Sequence, residues 1–275
     1  MPYVRTRLGR WFYEERGKAA RPDAPTVVLW PSLLCDGGMW RGQIEPLSAL
    51  GRVVSFDGPG HGKSEAPPPF TLEENADALV DAFRELNIER AVMVGLSWGG
   101  MLGMRLALQH PTRVQALALL DTSAEAEQPA RAAKYRMFVA LARHLGIPRR
   151  LADGQIAPVM MSDRARREKP ELVARLIRGA NGFSREGSAR AAMAVVVRRT
   201  DILGRISAIH VPTLVICGTE DRSTEPVHSR RIVEHIAGAR LVLIEGAGHL
   251  SALEQPAKVN EALVPFVREQ LALPA

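Results

Sequence analysis

Residue types able to do chemistry first meet at Gly95-Leu96-Ser97-Trp98-Gly99. A serine with glycines two places before and two after it fits a strand that turns sharply into a helix, because a side chain at either glycine would collide with the turning backbone. The flanks agree: Ala91–Val94 is a short apolar run with β-branched Val92 and Val94, and Met101, Leu102, Leu106 and Leu108 follow at helical spacing until Pro111. Such a corner exposes the serine hydroxyl above the first turn of a helix. A hydroxyl is a weak nucleophile until an imidazole takes its proton, and the free N–H groups of the first turn can meet negative charge developing on a substrate oxygen. The chemistry implied is acyl transfer, provided that an acid and a histidine follow.

Candidates for both stand at the ends of other apolar runs, and in a parallel sheet reactive groups gather at the carboxyl ends of the strands. Asp57 follows RVVSF, Asp121 follows VQALALL, Glu220-Asp221 follow PTLVICG, and His249 stands in Gly246-Ala247-Gly248-His249 after RLVLIE. Asp121 is the main rival to Asp221, whereas Asp57 is expected to hold its own loop. Of the seven histidines, His61 falls in a structural loop, and His110, His144, His210, His228 and His235 fall on or beside helices or in polar connections. The Asp57–Ser64 loop ends like a phosphate-binding loop at Gly62-Lys63-Ser64, but Asp57 occupies the place of the required first glycine and no helix follows directly. No H-E-x-x-H spacing occurs, so neither a metal nor a cofactor is expected.

The elements that must position these groups alternate. Arg5–Gly9 and Trp11–Glu15 read as an antiparallel edge turning at Gly9-Arg10, and Thr26–Trp30 and Arg52–Phe56 as buried strands. A helix between them carries Trp40, Ile44, Leu47 and Leu50. Thr71-Leu72-Glu73-Glu74 is a capping box that opens a helix ending near Asn87. Strands apolar on both faces imply a parallel sheet covered on both sides. From Ser123 the rhythm breaks for some 75 residues, with helix-like stretches at Ala130–Leu145, Arg149–Met161, Pro170–Gly179 and Arg185–Arg198. Alternation returns with the strands Pro212–Cys217 and Arg240–Glu245 and a closing helix through Val259 and Leu263. Residues 1–123 and 201–275 are therefore expected to form the core, with 124–200 inserted as a helical cap.

The chain resembles the α/β-hydrolase fold over essentially its whole length, on the Asp57–Ser64 loop, the Gly95–Gly99 elbow, Gly218-Thr219-Glu220-Asp221 and Gly246–His249. Pro31-Ser32-Leu33 through Trp40, together with GLSWGGMLG, is similar to the branch of 3-oxoadipate enol-lactonases and small carboxylesterases. The resemblance implies a mostly parallel sheet with helices on both faces and a cap. It implies Ser97 as nucleophile, His249 as its base and Asp221 as the carboxylate that orients the imidazole. It implies oxyanion donors in the backbone N–H groups of Trp98 and Leu33, with Leu34 as substitute. The common pattern has His-Gly where this chain has Pro31-Ser32, and Pro31 cannot donate. Pro31, Leu34 and Leu250 are expected to line the substrate pocket. The implied substrate is a small ester or lactone. Other bonds open to the same triad are carbon–carbon, thioester, N-terminal peptide and peracid bonds, and a slow-turnover receptor is the alternative from another class. A serine at 97 excludes dehalogenase and epoxide hydrolase chemistry, which need a carboxylate nucleophile there.

Composition bounds the rest. The 275 residues suffice for a large core, and no apolar run approaches a membrane span. The N-terminus is too charged for a secretory signal and Cys35 and Cys217 make no metal or redox spacing, so a cytoplasmic enzyme with free buried thiols is expected. The net charge of +6 is uneven: residues 124–200 hold 16 basic and 7 acidic side chains, the remainder 20 and 23. These arginines are scattered among Ala and Leu without a nucleic-acid motif, so a solvated face or attraction of an anionic small molecule explains them better than nucleic acid.

Overall fold

A computed structural model describes residues 2–21 and 23–272. Eight strands form one sheet in the order β1-β2-β4-β3-β5-β6-β7-β8: β1 Tyr3–Thr6, β2 Gly9–Arg16, β3 Thr26–Trp30, β4 Val53–Phe56, β5 Ala91–Leu96, β6 Val114–Leu120, β7 Thr213–Gly218 and β8 Arg240–Ile244. β2 pairs antiparallel with β1 on one side and with β4 on the other, and all the remaining pairs run parallel. The edge hairpin turns at Arg7-Leu8 and not at Gly9-Arg10: Thr6 pairs with Gly9, whose φ of +101° takes the bend into β2.

Side chains of the inner strands alternate between two apolar layers, as the two-residue period of a strand requires. Val28, Trp30, Met93, Leu117, Leu119 and Val215 face one layer, and Val27, Leu29, Val92, Val94, Leu120 and Ile216 the other. Helices α2 (Leu72–Glu85), α3 (Trp98–Gln109) and α10 (Pro226–His235) cover the first layer through residues such as Leu79, Phe83, Leu102 and Ile232. Helices α1 (Arg41–Ser48) and α12 (Pro256–Ala272) cover the second through Leu47, Val259, Leu263 and Phe266. The Thr71 capping box forms as the sequence predicts, with Thr71 Oγ1 accepting from Glu74 N and the Glu74 carboxylate accepting from Thr71 N.

Between β6 and β7 no strand intervenes. This segment holds α4 (Pro129–Leu145), α5 (Arg149–Leu151), α6 (Ala157–Met160), α7 (Asp163–Glu168), α8 (Pro170–Gly182) and α9 (Arg185–Ala192). The single helix expected over Arg149–Met161 is broken by a widened π turn at Ala152–Ile156. Pro158 supplies the reason, since it lacks the N–H that would continue the ladder. Helix α7 was not foreseen; it has one buried residue, Ala165, and depends instead on its cap, Ser162 Oγ accepting from Ala165 N. Helix α11 (Ser251–Glu254) begins two residues after His249, with Leu250 at its N-cap, and leads into α12.

Candidate active site

Ser97 occupies the corner between β5 and α3 with φ +54° and ψ −105°, a backbone strained for any residue with a side chain. Its surroundings over-determine it: Ser97 N donates to Leu120 O at 2.8 Å and Thr122 Oγ1 donates to Ser97 O at 2.7 Å. The flanking glycines are obligatory. A Cβ on Gly95 would lie 2.1 Å from the Gly99 carbonyl carbon, and one on Gly99 would lie 2.3 Å from Trp30 O.

His249 and Asp221 are hydrogen-bonded. His249 Nδ1 lies 2.9 Å from Asp221 Oδ2 and 3.1 Å from Oδ1, and both side chains are buried. Asp221 is held in turn by Ser223 N at 2.8 Å, Thr224 N at 3.0 Å and the Thr224 hydroxyl at 2.9 Å. With Nδ1 committed to the carboxylate, Nε2 is the ring nitrogen left for proton exchange. Burial opposes charge on this ring, but the Asp221 carboxylate outweighs it and holds the His249 pKa above the ordinary 6.5. Ser97 and His249 line the same cavity, and among the described residues no hydrogen bond joins Ser97 Oγ to the ring.

Asp121, the rival acid, is fully buried at the end of β6 with φ +45°. Its carboxyl accepts from Gly218 N at 2.8 Å and from the Ser251 hydroxyl, and no hydrogen bond links it to His249. It ties the strand end before Asp221 to the helix after His249. Burial, reinforced by repulsion from Asp221, holds its pKa well above the usual carboxylate range. Asp121, Cys217 and Asp221 place ligand-type atoms within 4.8 Å of one another, but hydrogen bonds occupy both carboxyls and burial pushes the thiol pKa up, away from the thiolate a metal would need. Both cysteines are free and buried.

The loop after β3 supplies the other wall. Leu33 and Leu34 line the cavity; among the described residues the Leu33 and Trp98 N–H groups have no protein acceptor, whereas Leu34 N donates to His61 Nε2 at 3.2 Å. Asp57 holds its own loop as expected, accepting from Lys63 N and Gly37 N, each at 2.8 Å. Two expected pocket residues are corrected. Pro31 is buried, and Leu250 is buried in the core, where it and Leu34 line a separate small recess; neither Pro31 nor Leu250 lines the cavity beside Ser97.

The cavity measures about 1240 Å³, its open mouth included. Met101, Phe138, Val139, Ile156, Val159 and Met160 supply apolar wall from α3, α4, α6 and the π turn. Arg131, Arg143, Arg185 and Arg199 also reach it. Three are paired with acids: Arg131 and Arg199 with Glu127 at 3.4 Å each, and Arg143 with Glu186. Arg185 donates to a main-chain acceptor, His144 O, at 3.3 Å. Sequence reasoning missed Thr224 and the role of Glu254. Thr224 could have been found three residues after Asp221, where a hydroxyl can bond back. Glu254, whose carboxylate accepts from Gly248 N at 3.0 Å and from Ser162 Oγ at 2.7 Å, is joined to Ser162, 92 residues earlier, only by folding.

The mostly parallel sheet thus carries a serine at the corner after β5 and a carboxylate–imidazole pair in the loops after β7 and β8. The family model of the alpha/beta hydrolase fold matches residues 25–256, and the chain belongs to that family; it is an α/β-hydrolase-fold enzyme. It is 28% identical over 250 residues to 3-oxoadipate enol-lactonase 1 of Acinetobacter baylyi, covering 90% of each chain. Among solved structures it is similar to the enol-lactonase of Burkholderia xenovorans LB400, with TM-score 0.86, 31% identity and coverage of 99% and 100%. It is also similar to a thermophilic esterase from Thermogutta terrifontis, with TM-score 0.89, 28% identity and 98% of both chains covered.

Proposed function

We propose that this enzyme hydrolyses a small carboxylic ester or lactone through an acyl-enzyme on Ser97. The observation that carries the reading is the buried Asp221–His249 pair, 2.9 Å apart, opening onto the cavity that holds Ser97. His249 Nε2 takes the Ser97 hydroxyl proton as Oγ attacks the carbonyl carbon, and the imidazolium is balanced by Asp221. The resulting oxyanion meets the Trp98 and Leu33 N–H groups; the Leu34 N–H, already given to His61, is not the donor. The C–O bond breaks, the leaving oxygen takes the proton from His249, and water deprotonated by the same ring cleaves the acyl-enzyme. In a lactone the leaving oxygen stays tethered and departs as part of the single hydroxy-acid product.

Residues 124–200 act as the lid whose apolar inner wall selects the substrate, and the arginines at the cavity favour one bearing a carboxylate. The names of the enol-lactonase and esterase relatives support an oxygen ester. The test is a panel of p-nitrophenyl esters, lactones and aminoacyl amides with purified enzyme, Ser97→Ala and His249→Ala. Sustained turnover of esters or lactones, reduced at least about 10⁴-fold in either variant, is expected. Full activity in Ser97→Ala, or a single burst without turnover in the unaltered protein, would refute the proposal.

A further inference from the structure

The Asp57–Ser64 loop does more than turn the chain. It reaches across to the loop after β3 at two points: Asp57 Oδ1 accepts from Gly37 N at 2.8 Å and His61 Nε2 accepts from Leu34 N at 3.2 Å. The second contact falls on a residue in the left-handed region, Leu34 with φ +64°, which a branched side chain occupies only when its surroundings hold it there. Leu34 directly follows Leu33, whose N–H is left without a protein acceptor at the cavity.

The ring of His61 can make this contact in one tautomer only. Its Nδ1 lies 3.2 Å from Pro59 O, an acceptor with no hydrogen, so Nδ1 carries the proton and Nε2 presents its lone pair to Leu34. The ring is fully buried, and burial lowers its pKa to about 4, so it stays a neutral acceptor wherever His249 can serve as a base. It packs at 5.3 Å between centroids against Trp98, the first residue of α3, and at 5.1 Å against Phe183, just after α8 of the cap. One side chain thus touches both walls of the oxyanion site and the lid.

We propose that His61 is a positioning residue for the oxyanion site, its Nε2 fixing the Leu34 peptide so that the adjoining Leu33 N–H remains available to the tetrahedral oxygen. The inference rests on the reading of Ser97 as nucleophile and of Leu33 and Trp98 as donors. It predicts a defect in transition-state stabilisation and not in substrate binding. His61→Leu removes the acceptor, and His61→Gln restores one in the same region.

With p-nitrophenyl butyrate, His61→Leu should lower kcat by about 10- to 100-fold with KM within about twofold, and should weaken inhibition by phenylboronic acid, which forms a tetrahedral adduct on serine, in proportion to kcat/KM. His61→Gln should recover most of both. In the unaltered enzyme ¹⁵N imidazole NMR should find His61 as the Nδ1–H tautomer across about pH 5–9. This last readout needs no variant to fold. Unchanged kcat and boronate affinity in folded His61→Leu, equal loss in Leu and Gln variants, or an Nε2–H tautomer would overturn the inference. Ser97→Ala, assayed alongside, separates the two levels: activity surviving there faults the nucleophile itself, whereas an inactive Ser97→Ala beside an unimpaired His61→Leu faults only the role of His61.

Discussion

Two buried aspartates close to one imidazole could each be the partner of His249, and hydrogen bonding distinguishes them. Asp221 meets Nδ1 directly, while Asp121 spends its carboxyl on Gly218 N and the Ser251 hydroxyl. The sequence could name both as strand-end acids but could rank them only through the family resemblance, because the ranking depends on which loop curls toward the ring. Since Asp221 raises the His249 pKa, and the base must be neutral, kcat/KM should fall as pH drops through a value above 6.5. Asp221→Asn should move that limb to lower pH and reduce kcat by about 10⁴-fold, read from pH–rate profiles. A limb below 6.5 in the unaltered enzyme would contradict the charge balance inferred for the pair. Asp121→Ala leaves a buried N–H and a buried hydroxyl without partners, and should cost about 1–3 kcal/mol in urea unfolding.

Elements were legible where a local rule fixes them. The Thr71 box specifies where α2 starts, and the turn from β5 into α3 was readable because no residue but glycine fits at 95 and 99. Thr71→Ala should therefore lower stability by about 1 kcal/mol with activity retained, as followed by thermal unfolding. Gly99→Ala, by contrast, drives a methyl into Trp30 O and should cost about 3 kcal/mol or more while displacing Ser97, seen as lost stability and lost turnover together. Residues 124–200 were legible as helical but not in the breaks between helices. An apolar period runs smoothly through Arg149–Met161, and only the missing N–H of Pro158 and the needs of packing open the turn there. Helix α7, held by a cap and ion pairs such as Arg166–Asp163, presents almost no apolar period to read.

At the scale of the molecule, the sheet carries its reactive groups on loops at one end, and the segment rich in arginine lies over them. No helix among the described residues is long and apolar enough to cross a membrane. The charge surplus of residues 124–200 was countable from the chain, but which arginines are neutralised was not, because pairs such as Arg199–Glu127 join distant positions. Arg185 lines the cavity and donates to a carbonyl, and under the proposal of an anionic substrate it would meet that substrate's charge. Arg185→Ala should raise KM for a p-nitrophenyl ester ending in a carboxylate by roughly fivefold relative to its effect on the neutral butyrate, and added salt should narrow that difference. Equal effects on the two esters would assign the arginines to the solvated surface.

The most direct measurement is covalent capture of the nucleophile. A fluorophosphonate probe reacted with the folded enzyme, followed by peptide mass mapping, should give one adduct on the peptide carrying Ser97, formed at a rate that collapses in His249→Ala. Labelling at another residue, or unmodified Ser97 in a preparation whose esterase activity the probe has destroyed, would contradict the account.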